Sequence, residues 1–148
     1  MKAVVQRVLN AELSVDGELI SKINKGIVVF LGVGVGDTET ELEKIGKKIS
    51  NLRIFEDENG KMNLSIKETK GEILLVSQFT LYGDCSHGNR PSFIMAERPE
   101  NANQLYLKMK EFFIGQNIPI KTGVFGADMK INVLNDGPVT ILMDSKDL

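Results

Sequence analysis

Several residue types are scarce in this 148-residue chain: one cysteine, one histidine, four prolines and no tryptophan. A single cysteine, Cys85, rules out an internal disulfide and a cysteine-rich zinc site. A single histidine, His87, cannot build a two-histidine metal centre within one chain. Any Ser-His-Asp triad would have to use His87, which stands in a polar, glycine-containing stretch and reads as a solvated loop residue. No metal and no cofactor are expected. An excess of one charge is also missing, since 18 Lys and Arg against 20 Asp and Glu leave a formal charge of −2. The resulting pI near 5.5 is unlike a nucleic-acid protein with a broad basic footprint. Apolar runs are short. The longest, residues 26–35, is interrupted by Gly32 and Gly34 and suits a buried strand better than a membrane span, which needs about 18 apolar residues. The opening Met1 to Arg7 has neither the apolar core nor the cleavage site of a signal peptide, so a cytoplasmic protein is expected.

What is present fits a folded domain. Hydrophobic residues make up 42% and charged residues only 26%, which excludes disorder as the main state. No repeat, low-complexity tract or linker divides the chain, so residues 1–148 are read as a single domain that can bury about 68–70% of its unfolded surface. Val4, Val5, Val8 and Leu9, then Leu13 and Val15, mark strand, and Asp16-Gly17 is a hairpin turn signal leading into Leu19 to Ile23. Gly26 to Leu31 reads as a buried strand. Asp37 or Thr38 offers an N-cap for an amphipathic helix over 38–52, with Leu42, Ile45, Ile49 and Leu52 on one face. A short strand at 53–55, a turn at 57–60 and a central strand over 72–81 follow. Residues 82–99 form a long polar loop, a helix runs over about 100–116, and strands are expected at 119–125, 128–134 and 138–143, with a turn at 135–137. About seven strands and two helices, with strands grouped in runs, give an α+β domain with a mostly antiparallel or mixed sheet.

Four motifs carry possible chemistry. Gly32-Val33-Gly34-Val35-Gly36-Asp37 joins strand to helix but lacks the spacing of a dinucleotide fingerprint and the Gly-Lys-Ser/Thr of a P-loop, so it reads as a flexible connection. In Ser77-Gln78-Phe79-Thr80-Leu81, strand alternation puts Gln78 and Thr80 on one face and Ser77, Phe79 and Leu81 on the other. That is either a polar pair on a rigid strand end or simply a strand running into solvent. Arg90 in Gly88-Asn89-Arg90-Pro91-Ser92-Phe93 can hold a phosphate through its planar fork or belong to an ordinary turn. Asn135-Asp136-Gly137-Pro138-Val139-Thr140 reads as a turn, although proline immediately before a strand is unusual. Basic clusters at Lys47-Lys48, Lys67 with Lys70, Arg90 with Arg98 and Lys108 with Lys110 each read as solvated surface.

Taken together, these segments resemble the D-aminoacyl-tRNA deacylase family. The SQFTL run at 77–81 and the NDGPVT run at 135–140 are similar to its two signatures. Gln6-Arg7-Val8, Gly60 to Asn63, Arg90 to Phe93 and Gly123 to Met129 also match, in order, over essentially the whole chain. The resemblance implies a β-barrel-like sheet with two or three flanking helices. It also implies a homodimer that hydrolyses the ester between a D-amino acid and the 3′-terminal adenosine of tRNA, and that deacylates glycine mischarged on alanine tRNA. On this resemblance Gln78, Phe79 and Thr80 are the catalytic residues, with Ser77 lining the pocket. Gly137-Pro138 matches a Gly-cisPro motif inserted into the partner subunit's pocket, where it excludes L side chains. Met129 lies near the adenosine or the crossing loop, and Arg7 orients the motif. Whether Thr80 is a nucleophile or contributes only its backbone stays open, because a threonine hydroxyl needs an adjacent base and none is evident in the motif. The rival readings are a non-catalytic module that binds a small ligand or an RNA end, and a metal-free esterase for small esters.

Overall fold

The apolar groups at Val4 to Leu9 and at Leu13 and Val15 lie on one continuous strand of 14 residues, β1 (Lys2–Val15), in the computed structural model, which describes residues 1–148. Asp16 and Gly17, both at positive φ (50° and 80°), make the tight hairpin into β2 (Glu18–Ile23). The N-terminal half of β1 pairs antiparallel with β3 (Gly26–Gly32), and its C-terminal half with β2. β3 then pairs in parallel with β6 (Glu72–Ser77), and β6 with β7 (Ile120–Thr122). The Ser21 hydroxyl donates to the carbonyl of Thr122 at 2.6 Å, tying β2 to β7 and curling the sheet toward a barrel. The last strand, β8 (Lys130–Asp144), lies antiparallel along the other side of β1 from Lys2↔Asp144 to Ser14↔Lys130.

The strand sequences that looked continuously apolar are buried on both faces. Ile27, Val29, Leu31, Ile73 and Leu75 face the helices, where they join Leu42, Ile45 and Ile49 of α1 (Glu39–Asn51) and Tyr106, Met109 and Phe113 of α3 (Pro99–Gly115). Val28, Leu74 and Val76 point the other way and fill the barrel with Val8, Ala11, Leu13 and Ile23. Helix α1 opens on a capping box: Thr38 accepts from the Thr40 amide at 3.2 Å, and Glu41 accepts from the Thr38 amide at 2.8 Å. The minor pair β4 (Phe55–Glu56) and β5 (Met62–Leu64) leads to a one-turn helix, α2 (Ile66–Thr69). The α+β class, the mixed barrel-like sheet and the flanking helices, three in number, stand as expected.

Three local expectations fail. The central strand stops at Ser77 rather than Leu81, because Phe79–Tyr82 coil into a 3-10 turn. The alternating faces assigned to Gln78 and Thr80 therefore do not exist. The turn at 135–137 is not a reversal: strands 128–134 and 138–143 are one strand, β8. Proline at 138 cannot donate to the ladder, so residues 136–139 bulge out between the pairs Val8↔Asn135 and Gln6↔Thr140, opposite Arg7. Finally, the residue pattern places only two helices and does not locate α2, although its Ser65–Glu68 capping box is visible in the sequence.

Candidate active site

Strand β6 ends where its sequence turns polar. The Gln78 amide donates to the Leu31 carbonyl at 2.8 Å as the last rung of the parallel ladder, and the chain then tightens into the 3-10 turn. That turn is seated on the glycine run. A side chain at Gly34 would come within 2.5 Å of the Tyr82 ring, and one at Gly32 within 2.9 Å of the Gln78 carbonyl. The glycines therefore serve close approach, and Gly32 to Asp37 is a seat rather than a flexible connection. Tyr82 is held there by donating to Asp37 Oδ2 at 3.3 Å. Asp37 also accepts from the Gly34 amide at 2.6 Å and from the α-ammonium of Met1 at 2.7 Å. Burial and the Asp37 carboxylate raise the Tyr82 hydroxyl's pKa well above its ordinary value. Lys2 lies over the Tyr82 ring, 4.9 Å from its centroid.

A helical turn leaves its first amides without intrahelical acceptors. Here the backbone N–H groups of Phe79 and Thr80 donate to no backbone or side-chain acceptor. The Gln78 side-chain amide donates to the Thr80 hydroxyl oxygen. Beside the turn is a cleft of about 280 Å³ lined by Val76, Ser77, Gln78, Phe79, Met129 and Ile131, with residues 126–128 at its rim. Met129 packs over Gly123, where a side chain would meet its sulfur at 2.5 Å. Phe79 is exposed and rests edge-on against Phe93 at 5.1 Å, an arrangement that anchors the long loop to the site. The loop is itself braced: Asp84 and Ser92 exchange backbone hydrogen bonds at 2.8 and 2.9 Å, and Val35 donates to the Met95 carbonyl at 3.0 Å.

Arg7, Gly137 and Pro138 lie elsewhere. Arg7 pairs with Ile27 whereas Ser77 pairs with Leu31, a separation of four residues along β3, or about 13 Å at 3.3 Å per residue. Arg7 is buried; its guanidinium donates to the Ile54 carbonyl at 2.8 Å and to the Asp136 carbonyl at 3.3 Å, and pairs with the Asp136 carboxylate at 3.1 Å. The Asn135 side-chain amide donates to the carbonyls of Arg7 at 2.9 Å and Val139 at 3.0 Å, bridging the neck of the bulge. Gly137-Pro138 at its tip is a cis peptide and is exposed. Ser77, Gln78, Phe79, Thr80 and Met129 are thus gathered at one place, and Arg7, Gly137 and Pro138 at another.

His87 is exposed at the far end of the loop, as is Arg90, and no group of three or more His, Cys, Asp or Glu residues comes together as a metal cage. The residues that sequence reading missed are Tyr82, Asp37, Phe93 and Asp136. Asp136 lay inside a recognised motif, but its partner Arg7 is 129 positions away. No helix is long and apolar enough to cross a membrane.

A relative in Thermosipho melanesiensis, named D-aminoacyl-tRNA deacylase, is 55% identical over 99% of this chain and 98% of its own. One of the same name in Persephonella marina is 54% identical over the full length of both. A solved structure described as c-Myc DNA Unwinding Element Binding Protein superposes with a TM-score of 0.92 at 47% identity, covering 97% of this chain and 98% of that one. Another, described as a probable eukaryotic D-amino acid tRNA deacylase, shares the fold at a TM-score of 0.80 and 15% identity, covering 96% and 97%. The family model for D-Tyr-tRNA(Tyr) deacylase matches residues 4–144, and the chain belongs to that family.

Proposed function

We propose that the protein hydrolyses the ester linking a D-amino acid to the 3′-terminal adenosine of tRNA, with Gln78, Phe79 and Thr80 at the reacting centre. The observation that carries this reading is the pair of unsatisfied amides, Phe79 and Thr80, on a braced turn beside the cleft. Attack on an ester makes a tetrahedral oxyanion, and preorganised amides are worth about 2.7–4 kcal/mol each to such a charge. The attacking group is water. Thr80 has no base to take its proton, since its hydroxyl oxygen accepts from Gln78 and the single histidine is exposed in the loop. An aminoacyl ester is already activated, so orientation by the ribose 2′-hydroxyl together with the two amides suffices. The 3′-oxygen of the adenosine leaves and takes a proton, giving free tRNA and the D-amino acid. Ser77 and Met129 line the side of the cleft that receives the substrate.

Chirality comes from a second protomer. Strand β8 is paired on one side only, and its outer residues Leu134 and Leu142 are 51% and 77% exposed. A long apolar edge of this kind calls for a cover. In a homodimer, the exposed Gly137-Pro138 of one protomer closes the cleft of the other, and Arg7 fixes its direction through Asp136. A wall that blocks an L side chain has nothing to block in glycine, so glycyl-tRNA of the alanine type is also deacylated. Aminoacyl-tRNA places the enzyme in the cytoplasm.

Matched D-tyrosyl-, L-tyrosyl- and glycyl-tRNA in single-turnover assays test the reading. Hydrolysis of the D and glycyl esters with the L ester spared is the expected result, and equal turnover of D and L would sink it. Thr80→Ala should keep most activity, whereas a substrate ending in 2′-deoxyadenosine should lose it; the opposite pattern makes Thr80 the nucleophile. Faster turnover of D-tyrosine ethyl ester than of the tRNA ester would favour a small-ester hydrolase.

A further inference from the structure

Among the basic clusters, Lys47-Lys48 changes meaning in the folded chain. Lys44, Lys47, Lys48 and Asn51 fall on one face of α1, at i, i+3, i+4 and i+7, opposite the buried Leu42, Ile45 and Ile49. The chain leaving the helix brings Arg53 to the same side. These four cations, with Asn51, Leu52 and Leu148, line one concavity of about 580 Å³. In a molecule of net charge −2, gathering four cations into one concave surface concentrates positive potential where the molecule as a whole has none. Only Lys47 is paired, with Glu43 at 2.9 Å, while Lys44, Lys48 and Arg53 make no ion pair. The helix dipole accounts for Lys48, in the last turn, but not for Lys44 in mid-helix; Arg53, beyond the end, donates through Nε to the Asn63 carbonyl at 2.9 Å.

The position of this surface matters as much as its charge. Arg53 directly precedes Ile54, whose carbonyl receives Arg7, and Arg7 in turn holds Asp136 beside Gly137-Pro138. The basic concavity and the exposed dipeptide therefore hang on the same buried guanidinium. We infer that the concavity formed by Lys44, Lys47, Lys48 and Arg53 binds the phosphodiester backbone of the tRNA whose 3′ end occupies the partner's cleft. This rests on the proposed function, because only that reading puts the dipeptide of one protomer over the active site of the other. The surface is assigned to phosphates and not to bases. Lysines act as point charges toward phosphate, and the cluster offers no exposed aromatic ring for stacking.

The test uses the Lys44→Glu/Lys48→Glu double variant, both positions being exposed and outside the cleft. Lys44→Gln/Lys48→Gln serves as the milder pair, and thermal unfolding checks that each variant folds. Fluorescence anisotropy with labelled, uncharged tRNA should show affinity falling about tenfold, and the plot of log affinity against log salt losing about 0.7–0.9 of slope for each contact removed. With D-tyrosyl-tRNA the loss should appear in KM, while D-tyrosyl-adenosine, which has no phosphate, should be hydrolysed as by the unaltered enzyme. Unchanged tRNA affinity and salt slope would overturn the inference. So would equal losses on the tRNA and adenosine esters, or a charge-dependent affinity for anionic phosphatidylserine vesicles with none for tRNA. The binding arm needs no turnover: if the unaltered protein binds tRNA through this surface yet hydrolyses neither ester, the deacylase reading fails and the surface stands.

Discussion

Arg7 holds its guanidinium inside the protein: Nε faces both the carbonyl and the carboxylate of Asp136, Nη1 donates to the Ile54 carbonyl, and Nη2 lies 4.0 Å from the Glu56 carboxylate. Lysine keeps the charge but not the fork. Arg7→Lys should therefore lower unfolding free energy by about 1.5–3 kcal/mol, the range for hydrogen bonds to a charged group, as read by urea denaturation. If the bulge is the chiral wall, the same variant should raise relative turnover of the L ester while sparing the D ester. Gly34 is the second telling residue, because an added methyl would meet the Tyr82 ring at 2.5 Å. Gly34→Ala should cost about 1–3 kcal/mol by overpacking and slow hydrolysis by lifting the turn that carries Phe79 and Thr80. Both residues were visible in the sequence, and Arg7 was singled out there. Their partners were not, since neither 129 nor 48 positions of separation leaves a local trace.

Elements became legible wherever their reason was local. Asp16-Gly17, the N-cap read as Asp37 or Thr38 and found at Thr38, and the apolar face of α1 are short-range signals, and all appear where they were read. The two site-bearing segments did not, because contacts from elsewhere overrule their own pattern. Phe79–Tyr82 coils because Tyr82 finds Asp37 and a glycine seat, and β8 passes straight through its turn-like motif because Arg7 and Asn135 clamp the bulge. The two capping boxes also contribute to the acid limb of stability, as do Asp57, Asp84 and Glu97, each held below its usual pKa first by a backbone amide. Glu41 is held below its usual pKa first by the Thr38 hydroxyl, and Glu68 first by the Ser65 amide. A carboxylate whose pKa is depressed by folding adds stability above its unfolded pKa, here about 4.5, and loses it as pH falls through the folded value. Thermal unfolding between pH 6 and pH 3 should thus show a steeper fall for the unaltered protein than for Glu41→Gln/Glu68→Gln.

At the scale of the whole molecule, the mixed sheet and its two-sided burial follow from composition and pattern, while the open edge of β8 does not, because exposure belongs to the assembled fold. Leu142, at 77% exposure, is the apolar residue to change. On the proposed homodimer, sedimentation should find the unaltered chain as a dimer and Leu142→Lys as a monomer at the same concentration, with loss of activity on the D ester and little change in melting of the isolated fold. The same pairing of β1 with β8 fixes the order of assembly. The longest ladder joins the first strand to the last, across up to 142 positions from Lys2 to Asp144. Contacts of that range fold slowly, since loop closure precedes the gain from pairing. On the ribosome β1 must wait, one flank bare, until residues 130–144 emerge. A nascent chain stalled short of that point would expose an adhesive border, and it would depend on chaperones for as long as the stall lasts.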